Sequence, residues 1–189
     1  MNEVSFLERV KLITGFNSMI IDRVQAGWQP YFVTYVFRHI SGGTSKRTRI
    51  MNSEVCRVYS QLLTRVIRDP NAPSYQQLLP YLMASPDLPV PKSGIKVPVR
   101  ELNINGGLHF HGVLVLPPED KCRLGRQLLA HLHEKQSLYC PTDHPLLRID
   151  ARPSNTPMLA DYVLKQIKRG NVAYDDILIL PRSRSEIRR

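Results

Sequence analysis

Cysteine is scarce in this chain. Cys56, Cys122 and Cys140 are the only three among 189 residues. An odd number without close pair spacing argues against a disulfide framework and makes a reducing cytoplasm the expected location. Long apolar runs are missing too. No stretch approaches the ~18 apolar residues of a membrane span, and Glu3, Glu8, Arg9 and Lys11 interrupt the apolar residues of the N-terminus, so neither membrane insertion nor secretion is expected. Acidic residues are outnumbered, 16 Asp+Glu against 26 Lys+Arg, for a formal charge of +10. That balance favours a polyanionic partner, nucleic acid first. A Gly-x-x-x-x-Gly-Lys-Ser/Thr motif is absent, which excludes a built-in P-loop motor, and no internal repeat is found.

What is present suits one globular domain. A hydrophobic content of 42% over 189 residues supports a substantial core, and single domains run to roughly 100–200 residues. The expected organisation is one domain over 1–180 and a basic tail over 181–189, with Arg182, Arg184, Arg188 and Arg189 able to touch a nucleic-acid backbone. Apolar residues from Phe6 to Val24 recur at spacings of three and four, predicting an amphipathic helix, open to interruption at Gly15, within an N-terminal extension, 1–28. Tyr31 to Phe37 predicts a buried strand, and Asn52 to Arg68 a helix stopped by Asp69-Pro70. Seven prolines between 70 and 98 suggest a surface insertion with one short helix around Tyr75 to Met83. Val97–Asn103 and Leu108–Leu116 flank Asn105-Gly106-Gly107 and predict a β-hairpin. A helix over Glu119–Glu134, a strand over Leu146–Pro153 and a helix over Met158–Arg169 closed by Gly170 complete the series.

The chemistry concentrates in two segments. In Gly107-Leu-His-Phe-His-Gly-Val-Leu-Val115, His109 and His111 are two apart and share one face of a strand, while Leu108, Phe110 and Val113 are free to face a core. Two convergent imidazoles form a chelate. In Ala160-Asp-Tyr-Val-Leu-Lys-Gln166, Tyr162 and Lys165 are three apart on a helix, so an ammonium lies beside a phenol. A metal and an assisted phenol suit attack on a phosphate. The bland alternatives are two exposed strand histidines and a core tyrosine accompanied by Leu159, Val163 and Ile167. Cys122, His131, His133, Cys140 and His144 lack the close pairs of a structural zinc site.

In order and spacing these motifs resemble the HUH endonuclease superfamily, specifically its rolling-circle replication initiators with one tyrosine downstream of the histidines. The strand carrying Thr34 matches a further motif of that branch, and the resemblance spans roughly residues 30 to 170. It implies an α+β fold with a central antiparallel sheet of ferredoxin-like (RRM-like) topology and helices packed on it. It also implies site-specific nicking and joining of single-stranded DNA. Tyr162 is then the nucleophile, Lys165 its cationic helper, and His109 and His111 ligands of Mn²⁺ or Mg²⁺. Glu101 is the expected third ligand: a three-residue loop at 105–107 puts it opposite His111, whereas a two-residue loop turns it away and leaves His39. Tyr174 is a second tyrosine, but twelve residues from the first and across Gly170.

Lys46, Arg47 and Arg49 in a basic loop over 39–49, with Lys168 and Arg169, are the candidate DNA contacts. The expected partners are single-stranded DNA or an origin hairpin and a host helicase, with no membrane. A single-strand transposase of the same superfamily, and a non-catalytic basic nucleic-acid-binding protein, are the alternatives.

Overall fold

A computed structural model describes residues 5–88, 104–154 and 158–182. Helix α1 (Phe6–Gln25) starts at a capping box: the Ser5 hydroxyl accepts the Glu8 amide at 3.3 Å, and the Glu8 carboxylate accepts the Ser5 amide at 2.8 Å. This satisfies amides that a helix start otherwise leaves open. There follow β1 (Gln29–Phe37), α2 (Thr44–Val66), a 3₁₀ turn (Pro73–Leu78), β2 (Tyr81–Asp87), β3 (His109–Leu116), α3 (Leu128–Glu134), α4 (Gln136–Tyr139), β4 (Leu146–Pro153), α5 (Leu159–Val163), α6 (Lys165–Lys168) and β5 (Leu178–Leu180).

The strands form one five-stranded sheet in the order β4-β1-β3-β2-β5, every neighbouring pair antiparallel. The protein is therefore α+β, with helices on both faces of the sheet. The strand period of two sorts the side chains. Tyr31, Val33, Tyr35 and Phe37 of β1, Leu82 and Ala84 of β2, and Phe110, Leu114 and Leu116 of β3 pack with Met51, Val55, Val58 and Leu62 of α2 and with Leu128, Leu132 and Tyr139 of α3 and α4. On the opposite face Phe32, Tyr81, Met83, Val113 and Val115 pack with Ile13 and Ile20 of α1 and Leu159, Val163 and Ile167 of α5 and α6. Both histidines belong by parity to this second face. So does Val113, expected on the other face but separated from each histidine by an even number of residues. Among the described residues no helix is long and apolar enough to cross a membrane.

Several sequence expectations are corrected. Residues 81–87 are not part of a surface insertion or of a short helix; they form β2, buried at every position. The strand tolerates its proline because β5 covers β2 only over Leu82–Ala84. Pro86 lies past that end, where a strand tolerates a missing N–H. The edges of β3 are taken by β1 and β2 over most of its length; the segment 97–103 expected to pair there lies outside the described residues. Helix α2 begins at Thr44, so Lys46, Arg47 and Arg49 stand on its first turns rather than in a loop. The helix expected over 119–134 is a 3₁₀ turn (Glu119–Lys121) followed by α3, with Gly125 at φ +52° between them. The tyrosine segment is two short helices parted at Leu164. The tail beyond Arg182 lies outside the described residues.

Gly112, between His111 and Val113, has a local reason. A Cβ there would meet the Met83 carbonyl at 3.1 Å, Leu82 Cδ1 at 3.2 Å and the Ala84 Cβ at 3.3 Å. Its absence lets β3 lie close against β2 beside the histidines.

Candidate metal centre

The register of the sheet assembles the site. On β3, His111 pairs with Thr34 of β1 on one side and Ser85 of β2 on the other, and His109 pairs with Asp87 of β2. All of these side chains project to the face covered by α5 and α6. Asp87 Oδ2 lies 3.1 Å from His111 Nε2 and 3.5 Å from His109 Nε2, and the two Nε2 atoms are 3.1 Å apart. Among the described residues these three side chains form the group whose donor atoms converge closely enough to hold a metal ion.

The outer atoms of the rings are held as well. His109 Nδ1 lies 2.8 Å from the Gly107 carbonyl. A carbonyl only accepts, so His109 carries a proton on Nδ1, and in the neutral ring Nε2 is the nitrogen with the lone pair. His111 Nδ1 lies 3.1 Å from Thr34 Oγ1. A hydroxyl both donates and accepts, so Thr34 supports either tautomer of His111. With Nε2–H directed at Asp87 the threonine donates to Nδ1; with a cation at Nε2 it accepts from Nδ1–H.

Asp87 is 2% exposed. Burial alone would raise its carboxyl, but hydrogen bonds from His111, Lys165 and Gln166 outweigh that effect and hold it well below the usual carboxylate range. Lys165 Nζ is 2.6 Å from Oδ2, and Gln166 Nε2 donates to Oδ1 at 2.9 Å and to the Leu88 carbonyl at 2.9 Å. Gln166 is fully buried and its own carbonyl accepts from Asn171 at 2.9 Å. For His111, burial pushes the imidazole below its ordinary value; Asp87 opposes the shift, while His109 and Lys165 add to it. A neutral imidazole is the form that ligates a metal. Two nitrogens and an ionised carboxylate, with ring orientations set by outer partners, could hold a metal ion.

Tyr162 stands at the margin of this group. Its ring centroid is 5.8 Å from that of His111 and 5.3 Å from that of Phe32, and Lys165 Nζ lies 4.5 Å from its centroid on the ring face. The core-tyrosine alternative fails: Leu159, Val163 and Ile167 are buried, whereas Tyr162 is 47% exposed. Lys165 thus touches the tyrosine and the carboxylate together.

Other expectations fall elsewhere. Glu101 lies outside the described residues. His39 is exposed beyond the end of β1 and does not join the convergent group. Tyr174 packs at the edge of the core with its hydroxyl buried. His131 bonds to the Tyr139 hydroxyl and His144 to Glu54, so the scattered Cys and His residues build no metal group among the described residues. Arg47 bonds to the Ile40 carbonyl, Lys168 pairs with Asp161 at 2.8 Å, and Lys46, Arg49 and Arg169 are exposed. The sequence motifs assign no role to Asp87 or Gln166. The usable signal for Asp87 is the alternation Tyr81, Met83, Ser85, Asp87, which flanking prolines obscure.

No family model, no curated protein and no solved structure matches this chain.

Proposed function

We propose that the protein is a metal-dependent endonuclease and strand transferase of the HUH type, acting on single-stranded DNA to start rolling-circle replication. The observation that carries this reading is the meeting of Asp87, His109 and His111 with an exposed Tyr162 through one shared lysine, Lys165. Each part corresponds to one need of phosphodiester transfer. The strand order adds support. The first four strands lie 4-1-3-2, and the helices following β1 and β3 pack on the same face, which supports reading the sheet as a ferredoxin-like β-α-β-β-α-β unit. The charge of +10 suits a nucleic-acid substrate.

Asp87, His109 and His111 would hold the metal, which when bound supplies charge stabilisation at a non-bridging phosphate oxygen. Gln166 and Thr34 orient the carboxylate and one imidazole. The Tyr162 oxygen forms a bond to phosphorus as the bond from phosphorus to the 3′ oxygen breaks. The phenolic proton leaves to solvent and the departing oxygen takes one up, giving a 5′-phosphotyrosine and a free 3′ hydroxyl. Run backwards with another 3′ hydroxyl, the same reaction joins strands. Lys165 neutralises charge on the attacked phosphate or on the phenolic oxygen.

The test is a denaturant-resistant adduct between the protein and single strands drawn from a library of candidate origin hairpins, in Mn²⁺. The expected result is an adduct that requires metal, maps to Tyr162 and vanishes in Tyr162→Phe with DNA binding retained. An adduct that survives in Tyr162→Phe sinks the assignment. Tight, metal-indifferent binding with no adduct across the library points to a non-catalytic basic binding protein instead.

A further inference from the structure

The seam between α1 and the tyrosine helices closes through Ile13, Ile20, Leu159, Val163 and Ile167. At the start of α1 it opens into a cleft of about 600 Å³ lined by Phe6, Arg9, Asp161, Lys165, Lys168 and Arg169. Four cations there face one carboxylate. The Phe6 ring, on the first residue of α1, is 64% exposed. An aromatic ring this exposed belongs to neither core cluster and gains little from burial, yet it lines the cleft. The Arg9 guanidinium lies against Gly170, at φ +75°, where a Cβ would collide with it. The glycine that terminates α6 therefore also leaves room for this cation.

A flat exposed ring bordered by cations is the combination that binds single-stranded nucleic acid without reading its sequence: charge follows the phosphates and the ring stacks a base. Lys165 belongs to both places, since it lines the cleft and pairs with Asp87. A strand with one phosphate at the metal centre therefore meets, in Lys165, a cation that also lines the cleft.

We infer that this cleft is a channel for the single strand that flanks the phosphate at the metal centre. Phe6 stacks a base, and Arg9, Lys168 and Arg169 hold the adjoining phosphates. The inference rests on the nuclease reading for the identity of the strand, but it assigns binding residues on α1 that lie outside every motif of the sequence.

The test uses the full chain in chelator, so that cleavage does not intervene, titrated into fluorescein-labelled oligothymidylate and into an abasic strand of the same length, read by anisotropy. Wild type should prefer the base-bearing strand by about tenfold. Phe6→Ala should lose that preference and Phe6→Trp keep it, and the exposure of Phe6 makes both variants safe for the fold, with circular dichroism as the check. Arg9→Ala should weaken both strands alike and lower the slope of log K against log salt by about 0.7. An unchanged strand preference in Phe6→Ala, or an unchanged slope in Arg9→Ala, overturns the channel. The two proposals fail separately: absence of any adduct with wild type defeats the nuclease reading while leaving the Phe6 dependence measurable, and wild-type binding by both α1 variants defeats the channel while adduct formation continues.

Discussion

Asp87 stands directly opposite His109 across the β2–β3 pair, and its Oδ2 atom reaches Nε2 of both histidines within 3.5 Å. The third member of the group therefore comes from the neighbouring strand at the level of the first histidine. Replacing Asp87 by Asn preserves shape but removes the charge that balances a divalent cation. Asp87→Asn and His111→Ala should each weaken Mn²⁺ binding by more than the roughly 10- to 100-fold typical of outer-shell changes, followed by the paramagnetic resonance of free Mn²⁺. Glu101→Gln should have a smaller effect than Asp87→Asn, and the reverse ranking would restore Glu101 as the ligand.

Thr34 touches no ligand atom, yet its hydroxyl is 3.1 Å from the outer nitrogen of His111. Its expected contribution is the orientation and tautomer of that ring. Thr34→Val keeps the shape of the side chain and removes the hydroxyl, so metal affinity should fall by about 10- to 100-fold while Thr34→Ser stays near wild type. Equal affinity in Thr34→Val and wild type would show that His111 is oriented by packing alone.

Gly112 predicts a stability effect independent of metal. Its Cβ would meet a backbone carbonyl at 3.1 Å and side chains of Leu82 and Ala84 just beyond, and neither strand is at an edge where it could move away. Gly112→Ala should cost about 1–3 kcal/mol, the usual penalty of overpacking, read as a lower midpoint in urea at unchanged slope.

The parts of the site legible in the sequence were those fixed by spacing within one element. His109 and His111 share a face because a strand repeats every two residues. Lys165 reaches Tyr162 even though the segment breaks at Leu164, since a separation of three survives one irregular residue. Thr34 was legible as part of a strand motif, though its partner was not, because the β1–β3 register joins residues 77 apart. Asp87 was hidden for a different reason. A local reading treats Pro80, Pro86 and Pro89 as breakers, whereas tertiary pairing decides whether a missing N–H matters. Likewise β5, three residues long, is defined by β2 rather than by any pattern of its own. The segment 39–49 reads locally as a loop because of Gly42-Gly43 and its cluster of cations, yet Thr48 and Met51 supply the buried face on which α2 starts at Thr44.

Glu54 gives the pH dependence its sign, away from the metal centre. It lies in α2, nearly buried, with Arg57 at 2.8 Å and His144 Nδ1 at 3.1 Å. Burial raises its carboxyl, but the hydrogen bonds from Arg57 and His144 prevail, so the folded value lies below the ordinary 4.5. Below 4.5 the unfolded chain therefore takes up this proton more readily than the folded one. The stabilisation is fully present above that pH and drains away as pH falls through the folded value. Glu54→Gln should lower stability by about 1.5–3 kcal/mol at neutral pH, the range for hydrogen bonds to charged groups. It should also flatten the loss of stability just below pH 4.5, measured by urea denaturation in chelator. The residual slope at still lower pH should belong in part to Asp87, whose ordinary value of 3.8 starts its window later. A Glu54→Gln variant that loses stability with the same acid slope as wild type would show that the carboxylate contributes by packing rather than by charge.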